Sequence, residues 1–231
     1  MSYFYFILGS VLASWIYVCA VRYEKKSDMY GKWSICPHCH HRIPFHQMIP
    51  IISWIQLKGH CAWCHHEIPV SSFFCELFGA LGFLIISLSF DGIHKIGMMI
   101  VFCALLYASF CDLIYGLIPD RTHLIIASSA ILMISPAQRI HQILYSLALL
   151  IVLFFICIWT QSIGMGDGKL ISSLALILHP LSILYMISIA STTALIITIL
   201  KKEGKKGQII RFGPYLSFGA FVCLCFLERV P

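Results

Sequence analysis

Two aspartates, Asp112 and Asp167, each stand at the end of a long apolar stretch of the chain. Ionisable groups next to membrane-embedded segments are costly, so each is a functional hypothesis by default. Two carboxylates held close together cannot both ionise easily, and one of them keeps a proton. The ionised carboxylate can activate water while the protonated one polarises a peptide carbonyl. The pair therefore predicts aspartic protease chemistry.

The residues around Asp167 support this interpretation. Gly164, Gly166 and Gly168 surround it, and glycine permits backbone conformations closed to other residues and a close approach of a substrate chain. An aspartate at a helix end also serves as a cap, and capping is our interpretation of Asp120. Glu76, one turn into an apolar stretch, either has a functional role or faces water or a lysine.

Two cysteine pairs lie in the first polar segment, Cys36-Pro-His-Cys39 and Cys61-Ala-Trp-Cys64. Two C-x-x-C pairs at about this separation are typical of a structural zinc site, in which each pair supplies two thiolates to a tetrahedron. Disulfides and redox thiols are the alternatives, and a cytoplasmic location disfavours disulfides. The sequence predicts zinc bound by four cysteines.

The other cysteines and the loop histidines have simpler interpretations. Cysteines within apolar stretches act as small hydrophobic residues: Cys19, Cys75, Cys103, Cys111, Cys157, Cys223 and Cys225. The histidines near the pairs are interpreted as solvated, with replacement of a ligand as the alternative: His38, His40, His41, His46, His60, His65 and His66.

Composition indicates the elements that position these residues. Apolar residues make up 59% of the 231-residue chain and charged residues only 11%, far below the roughly 25% charge of soluble domains. We predict an all-α, polytopic membrane helix bundle of about eight spans with a small zinc-binding loop domain. The spans are expected at about 3–21, 72–90, 96–111, 122–135, 142–160, 170–179, 181–200 and 214–227. His179-Pro180 divides the stretch from Leu170 to Leu200, since proline ends or kinks a helix.

The basic residues predict the orientation. With eight spans and the first running inward, thirteen of the sixteen Lys and Arg residues fall on the cytoplasmic side, as the positive-inside rule requires. The expected domains are a first span (1–21), the cysteine loop (22–71) and a peptidase bundle (72–231). Asp112 and Asp167 then lie at one depth, on the cytoplasmic face. The net charge of +6 is too scattered for nucleic-acid binding.

At this point the chain resembles the prepilin peptidases, the type IV leader peptidases of the GxGD membrane aspartic proteases. The resemblance covers nearly the whole length and includes both cysteine pairs. Its other motifs are Gly9-Ser10, Ile49-Pro50-Ile51-Ile52-Ser53, Asp112 with Ile118-Pro119-Asp120, and Gly164-Met165-Gly166-Asp167-Gly168.

The resemblance implies that Asp112 and Asp167 are the catalytic pair of a bacterial inner-membrane enzyme. Its substrates would be type IV prepilin or pseudopilin precursors, cleaved after glycine to release a short basic leader. Relatives with the cysteine loop often also methylate the new N-terminal amine with S-adenosylmethionine. Here Val11-Leu12-Ala13-Ser14 follows Gly9-Ser10 in place of a Phe-Leu-Asn-Val run, and Ser71-Ser72 replaces an Arg-Tyr. We therefore expect efficient cleavage with weak methylation.

Two other classes of function compete with this interpretation. The first is an inactive zinc-containing scaffold of a pilus or secretion machine, which a cleavage assay would separate from a peptidase. The second is a proton-coupled transporter, in which lone intramembrane acids act as relays. Transporters usually carry such acids near the membrane midplane, whereas these lie at its inner edge.

Overall fold

The computed structural model describes residues 2–23, 34–160, 164–200 and 210–227. All regular structure in these residues is helical, apart from two isolated β-bridges in the cysteine loop. The α-helices are α1 (Ser2–Val21), α2 (Ile52–Gln56), α3 (Val70–Ser89), α4 (Gly92–Tyr115), α5 (Asp120–Met133), α6 (Pro136–Thr160), α7 (Met165–Leu174), α8 (Pro180–Leu200) and α9 (Gly213–Val222). The turn Phe45–Gln47 is 3₁₀, and α9 continues as a π-helical turn, Cys223–Leu227. The prediction of an all-α fold is confirmed.

Five helices in this part of the chain are long and apolar enough to cross a membrane. They are α1, α3, α4, α6 and α8. The other three predicted spans correspond to α5, of 14 residues, and to α7 and α9, of 10 residues each. These are shorter than the ~20 residues that a straight crossing needs. A membrane bundle is therefore supported, whereas the count of eight spans is not confirmed.

The predicted division near Pro180 is confirmed. Leu174 ends α7, and Pro180 is the first residue of α8, where its missing N–H leaves no hydrogen bond unmade. However, α7 begins at Met165 and ends five residues before His179. Asp167 accordingly lies in the first turn of a helix rather than in the loop that the three glycines suggested.

The chain divides into two compact units, Met1–Leu88 and Ser89–Pro231. In the first, α1 and α3 run antiparallel in close contact, with the glycines Gly9 and Gly79 facing each other. Cys75 Sγ donates to the backbone oxygen of Ala13 at 3.2 Å. A Cβ atom at either glycine would overlap the opposite helix. Small residues thus allow the two backbones to approach, as is common between membrane helices.

In the second unit, α4 packs against α5 and α9, α9 packs against α8, and α7 packs against α5 and α6. Large side chains from five of these helices are fully buried: Met98, Ile126, Leu170, Met186 and Leu216. By contrast, α6 has one buried residue, Cys157. The core therefore lies among α4, α5, α7, α8 and α9, and the remaining surface of α6 is left for lipid.

Candidate active site and metal centre

Asp112 lies in the last turn of α4, and only 7% of its surface is exposed. The helix ends four residues later at Gly116, which has a left-handed conformation with φ 71° and donates its N–H to the Asp112 backbone oxygen at 2.8 Å. Left-handed C-caps favour glycine because it has no Cβ. The chain can therefore turn away directly after the aspartate, which leaves the carboxylate at the end of the helix.

Asp167 lies in the first turn of α7. Burial raises the pKa of Asp167 to about 6, and the neighbouring charge of Asp112 adds to this effect. The structure thus brings together the two aspartates that the sequence singled out, although 54 residues separate them in the chain. Carboxylates that interact in this way favour a state in which they share one proton.

The glycines around Asp167 do not have the unusual backbone angles that were expected. Gly164 is the N-cap of α7 with φ −63°, and the left-handed glycines of the described residues are Gly59, Gly92 and Gly116. The glycines around Asp167 are therefore not required for a left-handed backbone conformation. A Cβ on Gly166 would lie 3.2 Å from Ile118, and one on Gly168 would lie 3.4 Å from Cys157 Sγ. Gly166 instead allows α7 to pack closely against Ile118, whereas a Cβ at Gly168 would make only an ordinary contact.

Gly213, the first residue of α9, also contacts the site. Its backbone N–H donates to Asp112 Oδ2 at 2.9 Å, and a Cβ at this position would lie 2.8 Å from the same oxygen. Arg211 is near enough for its positive charge to act on Asp112. Gly213 is not evident from the sequence, because a backbone donor leaves no signal in residue type apart from the glycine before Pro214.

Asp120 has a different role from the predicted cap. It is the first residue of α5, and its carboxylate binds Lys169 Nζ at 2.6 Å. This ion pair joins the first turn of α5 to α7, and 77% of the Asp120 side chain and 44% of the Lys169 side chain are exposed. Capping was therefore the wrong interpretation of Asp120, and the residue connects two helices instead.

An open cavity of about 310 Å³ adjoins the Asp167 turn between α6 and α7. Its accessible lining is apolar, from residues such as Leu150, Phe154 and Met165, and it reaches Gly168 and Lys169. An apolar side chain can enter this space next to the aspartate turn.

In the first unit, the four cysteines of the two pairs form one cluster. Their sulfur atoms all lie within 4.8 Å of one another. Cys36 Sγ and Cys64 Sγ are 3.9 Å apart, much farther than the ~2.05 Å of a disulfide. The donor set is four cysteines without a histidine, which matches a structural zinc site.

The two cysteine pairs have the same local geometry. In each, the N–H of the first cysteine donates 2.9 Å to the oxygen five residues later, as from Cys36 to His41 and from Cys61 to His66. In each, the residue after the second cysteine, His40 or His65, has a positive φ. Rings from the two pairs stack on each other, with 4.5 Å between the centroids of His38 and His66. These two cysteine knuckles are thus shaped to point four sulfur atoms at one centre.

Comparisons with known proteins agree with this geometry. Residues 7–90 match the bacterial peptidase A24 N-terminal domain, and residues 99–199 match the type IV leader peptidase family. A "Type 4 prepilin-like proteins leader peptide-processing enzyme" of Escherichia coli is 31% identical over 83% of this chain and 74% of the relative. A "Prepilin leader peptidase/N-methyltransferase" of Dichelobacter nodosus is 26% identical over 92% of this chain and 78% of the relative.

A protein of that same name from Stutzerimonas stutzeri is 29% identical over 85% of this chain and 73% of the relative. No solved structure matches the chain at a significant level. The first matched region contains the four-cysteine cluster, and the second contains both aspartates. A membrane helix bundle, a paired aspartate site and these relatives agree: the chain belongs to the type IV leader peptidase family.

Proposed function

We propose that this protein is a prepilin leader peptidase of the bacterial inner membrane that hydrolyses one peptide bond with Asp112 and Asp167. The observation that carries the proposal is the pairing of these carboxylates, which come from different helices and interact electrostatically. Relatives named as leader peptidases match the chain over most of its length. The scaffold and transporter alternatives have no comparable support.

The surroundings of the two carboxylates suggest a distinct role for each. Asp112 accepts the Gly213 N–H and lies near Arg211, and both groups stabilise a negative charge. Burial and the neighbouring charge of Asp112 raise the pKa of Asp167 to about 6, and among the described residues no such donor or cation lowers it, which suits a proton donor. Asp112 would take a proton from water as the oxygen attacks the scissile carbonyl carbon, and Asp167 would donate its proton to the carbonyl oxygen. Collapse of the tetrahedral intermediate then breaks the C–N bond. The proton held by Asp112 passes to the leaving amine, and a hydroxyl of the intermediate returns its proton to Asp167.

The substrates in this proposal are type IV prepilin or pseudopilin precursors with a short basic leader, cut after glycine. The excess of Lys and Arg in alternate loops supports an active site on the cytoplasmic face. The apolar cavity beside Gly168 offers room for an apolar side chain next to the scissile bond.

The cysteine loop, residues 22–71, is proposed as a separate zinc domain. Cys36, Cys39, Cys61 and Cys64 would hold the ion, which supplies a cross-link to a segment with little core of its own. The N-methyltransferase names of several relatives support a second activity, for which S-adenosylmethionine would be the methyl donor. Ser71-Ser72 lacks the arginine that could steer an anionic group, so we expect weak methylation.

The test is cleavage of a pilin-like precursor by the purified full chain in lipid vesicles, followed by mass spectrometry. Asp112→Asn and Asp167→Asn should each abolish cleavage while membrane insertion and Tm remain near those of the unmodified protein. Asp91→Asn removes an exposed acid at the opposite end of α4 and should cleave normally. With S-adenosylmethionine present, a minority of the product should be one methyl group heavier. An unmodified chain that never cleaves, under conditions where a known relative does, would refute the proposal.

A further inference from the structure

A tight turn at Pro50-Ile51-Ile52 directs a backbone N–H towards α3. Ile52 N donates to the oxygen of Pro50 at 2.6 Å, and Ile51 has φ 66° and ψ −54°, which together define a γ-turn. This form is rare and strained, above all for a β-branched residue. Backbone strain persists only where the surroundings hold it in place. Here the Ile51 N–H donates to Glu76 Oε2 at 2.7 Å.

Glu76 connects three segments of the first unit. It lies in α3, only 7% of its surface is exposed, and its other oxygen accepts the Ser14 hydroxyl of α1 at 2.7 Å. An acidic side chain within a membrane helix is costly unless polar partners satisfy it. The two donors provide that satisfaction, so the hydrogen-bond partners of Glu76 among the described residues are Ser14 and the Ile51 backbone rather than a lysine. Its carboxylate joins α1, α3 and the γ-turn.

The pairing of α1 with α3 shows how far the γ-turn lies from the loop ends of these two helices. Near the loop ends of the two helices, Tyr17 Oη and Ser71 Oγ are 2.9 Å apart. Glu76 lies five residues farther along α3 than Ser71, which corresponds to about 7.5 Å at ~1.5 Å per residue. The Trp54 ring packs on Phe73 of α3, with 4.9 Å between ring centroids. Residues 51–54 therefore lie alongside the spanning helices rather than beyond their ends.

The same segment exposes an unusual number of large apolar side chains. Phe45 is 75% exposed, Ile49 47%, Ile52 51% and Ile55 58%. Four such residues within eleven positions would be unfavourable in water, because the removal of large apolar side chains from water is favourable. At the depth of Glu76, between helices long enough to span a bilayer, the surroundings that fit are lipid chains.

We propose that residues 45–55 form a re-entrant segment whose apolar side chains lie among the acyl chains of the lipid leaflet on the loop's own side. The segment stands between the two cysteine knuckles in the chain, so its insertion would hold both knuckles at the headgroup layer. This inference concerns the first unit alone and does not depend on the proposed peptidase activity.

The test measures the depth of single positions in the full chain. A fluorescent amino acid is introduced by codon suppression at Ile55, and in a second variant at Glu67, an exposed polar residue of the same loop. Each protein is reconstituted in phosphatidylcholine vesicles. In one experiment the quencher is lipid brominated along the acyl chains, and in the other it is iodide in the surrounding water. We expect brominated lipid to quench the Ile55 probe at least about threefold more than the Glu67 probe, with the reverse order for iodide.

Two outcomes would overturn the proposal. Iodide quenching of both probes to the same extent would place the segment in water. Protection of the Ile55 probe from both quenchers would show that protein, rather than lipid, covers it.

A pair of substitutions tests the anchor itself. Glu76→Leu removes the acceptor of the Ile51 N–H, and we expect it to lower the bromolipid quenching at Ile55. Ser14→Ala leaves the Ile51 hydrogen bond intact and should keep the quenching unchanged. Equal quenching in both variants would show that Glu76 does not hold the segment in the bilayer.

Discussion

Replacing Gly213 by alanine tests whether the start of α9 positions the Asp112 carboxylate. The new Cβ would lie 2.8 Å from Asp112 Oδ2, against an ordinary contact of about 3.4 Å, so one of the two groups must move in this close-packed interior. A shift of about 0.6 Å lengthens the hydrogen bond from the Gly213 N–H, now 2.9 Å, beyond a useful distance.

The size of the effect follows from the charge of the acceptor. A hydrogen bond to a charged group contributes about 1.5–3 kcal/mol, and each 1.36 kcal/mol at the transition state changes the rate about tenfold. We therefore expect Gly213→Ala to lower kcat by about 10- to 150-fold. KM should change little, because Gly213 contacts the carboxylate rather than the substrate.

The assay is steady-state cleavage of a pilin-like precursor, with Tm measured on the same samples. Gly219→Ala is the matched control, because it lies in the same helix and its Cβ would meet the Met186 backbone oxygen at 2.6 Å. This control should lower Tm yet keep kcat within about twofold, as expected when packing alone is disturbed. Unchanged kcat in Gly213→Ala would refute the positioning role. The positioning role would also be refuted if kcat fell in proportion to Tm in both variants.

Three further outcomes are expected. The kcat/KM profile should decline as pH rises past the pKa of Asp167, about 6, because its proton-donating form is lost; a flat profile between about pH 5 and pH 8 would contradict this assignment. Asp120→Asn and Lys169→Met should both retain measurable cleavage, since their ion pair is exposed and such pairs contribute only about 0–1 kcal/mol; loss of cleavage in either would place the pair in the catalytic machinery. Elemental analysis should find about one zinc per chain, and the double change Cys61→Ser and Cys64→Ser should remove it and make the loop sensitive to protease. A metal-free loop that resists protease would rule out the zinc site.

The aspartates could be predicted from the sequence because their signal is local. An acid at the end of an apolar stretch is conspicuous in residue type alone, and topology placed Asp112 and Asp167 on one side of the membrane. The cysteine cluster could be predicted for the same reason, since two short spacings specify two knuckles. The fold class followed from composition, whereas the lengths of α5, α7 and α9 depend on packing that periodicity does not reveal.

Two contacts that the sequence could not reveal involve backbone groups. Gly213 reaches Asp112 with an N–H group across 101 residues, and Ile51 reaches Glu76 in the same way. Every residue type except proline carries this donor, so no spacing points to it. Gly166 shows the converse error, because glycine indicates either a special backbone angle or close packing. Only coordinates distinguish the two.

The contact between Tyr17 and Ser71 also determines what happens when the metal leaves. These residues hold the two ends of the cysteine loop together independently of the sulfur cluster. Closing a flexible loop costs entropy that grows only slowly with its length. Here the pairing of α1 with α3 already holds the loop ends together, so zinc binding does not have to supply that free energy. Chelation should therefore melt the loop without separating its ends, and the thiols would stay at a high local concentration. Rebinding of zinc at the proposed site would then be rapid and reversible.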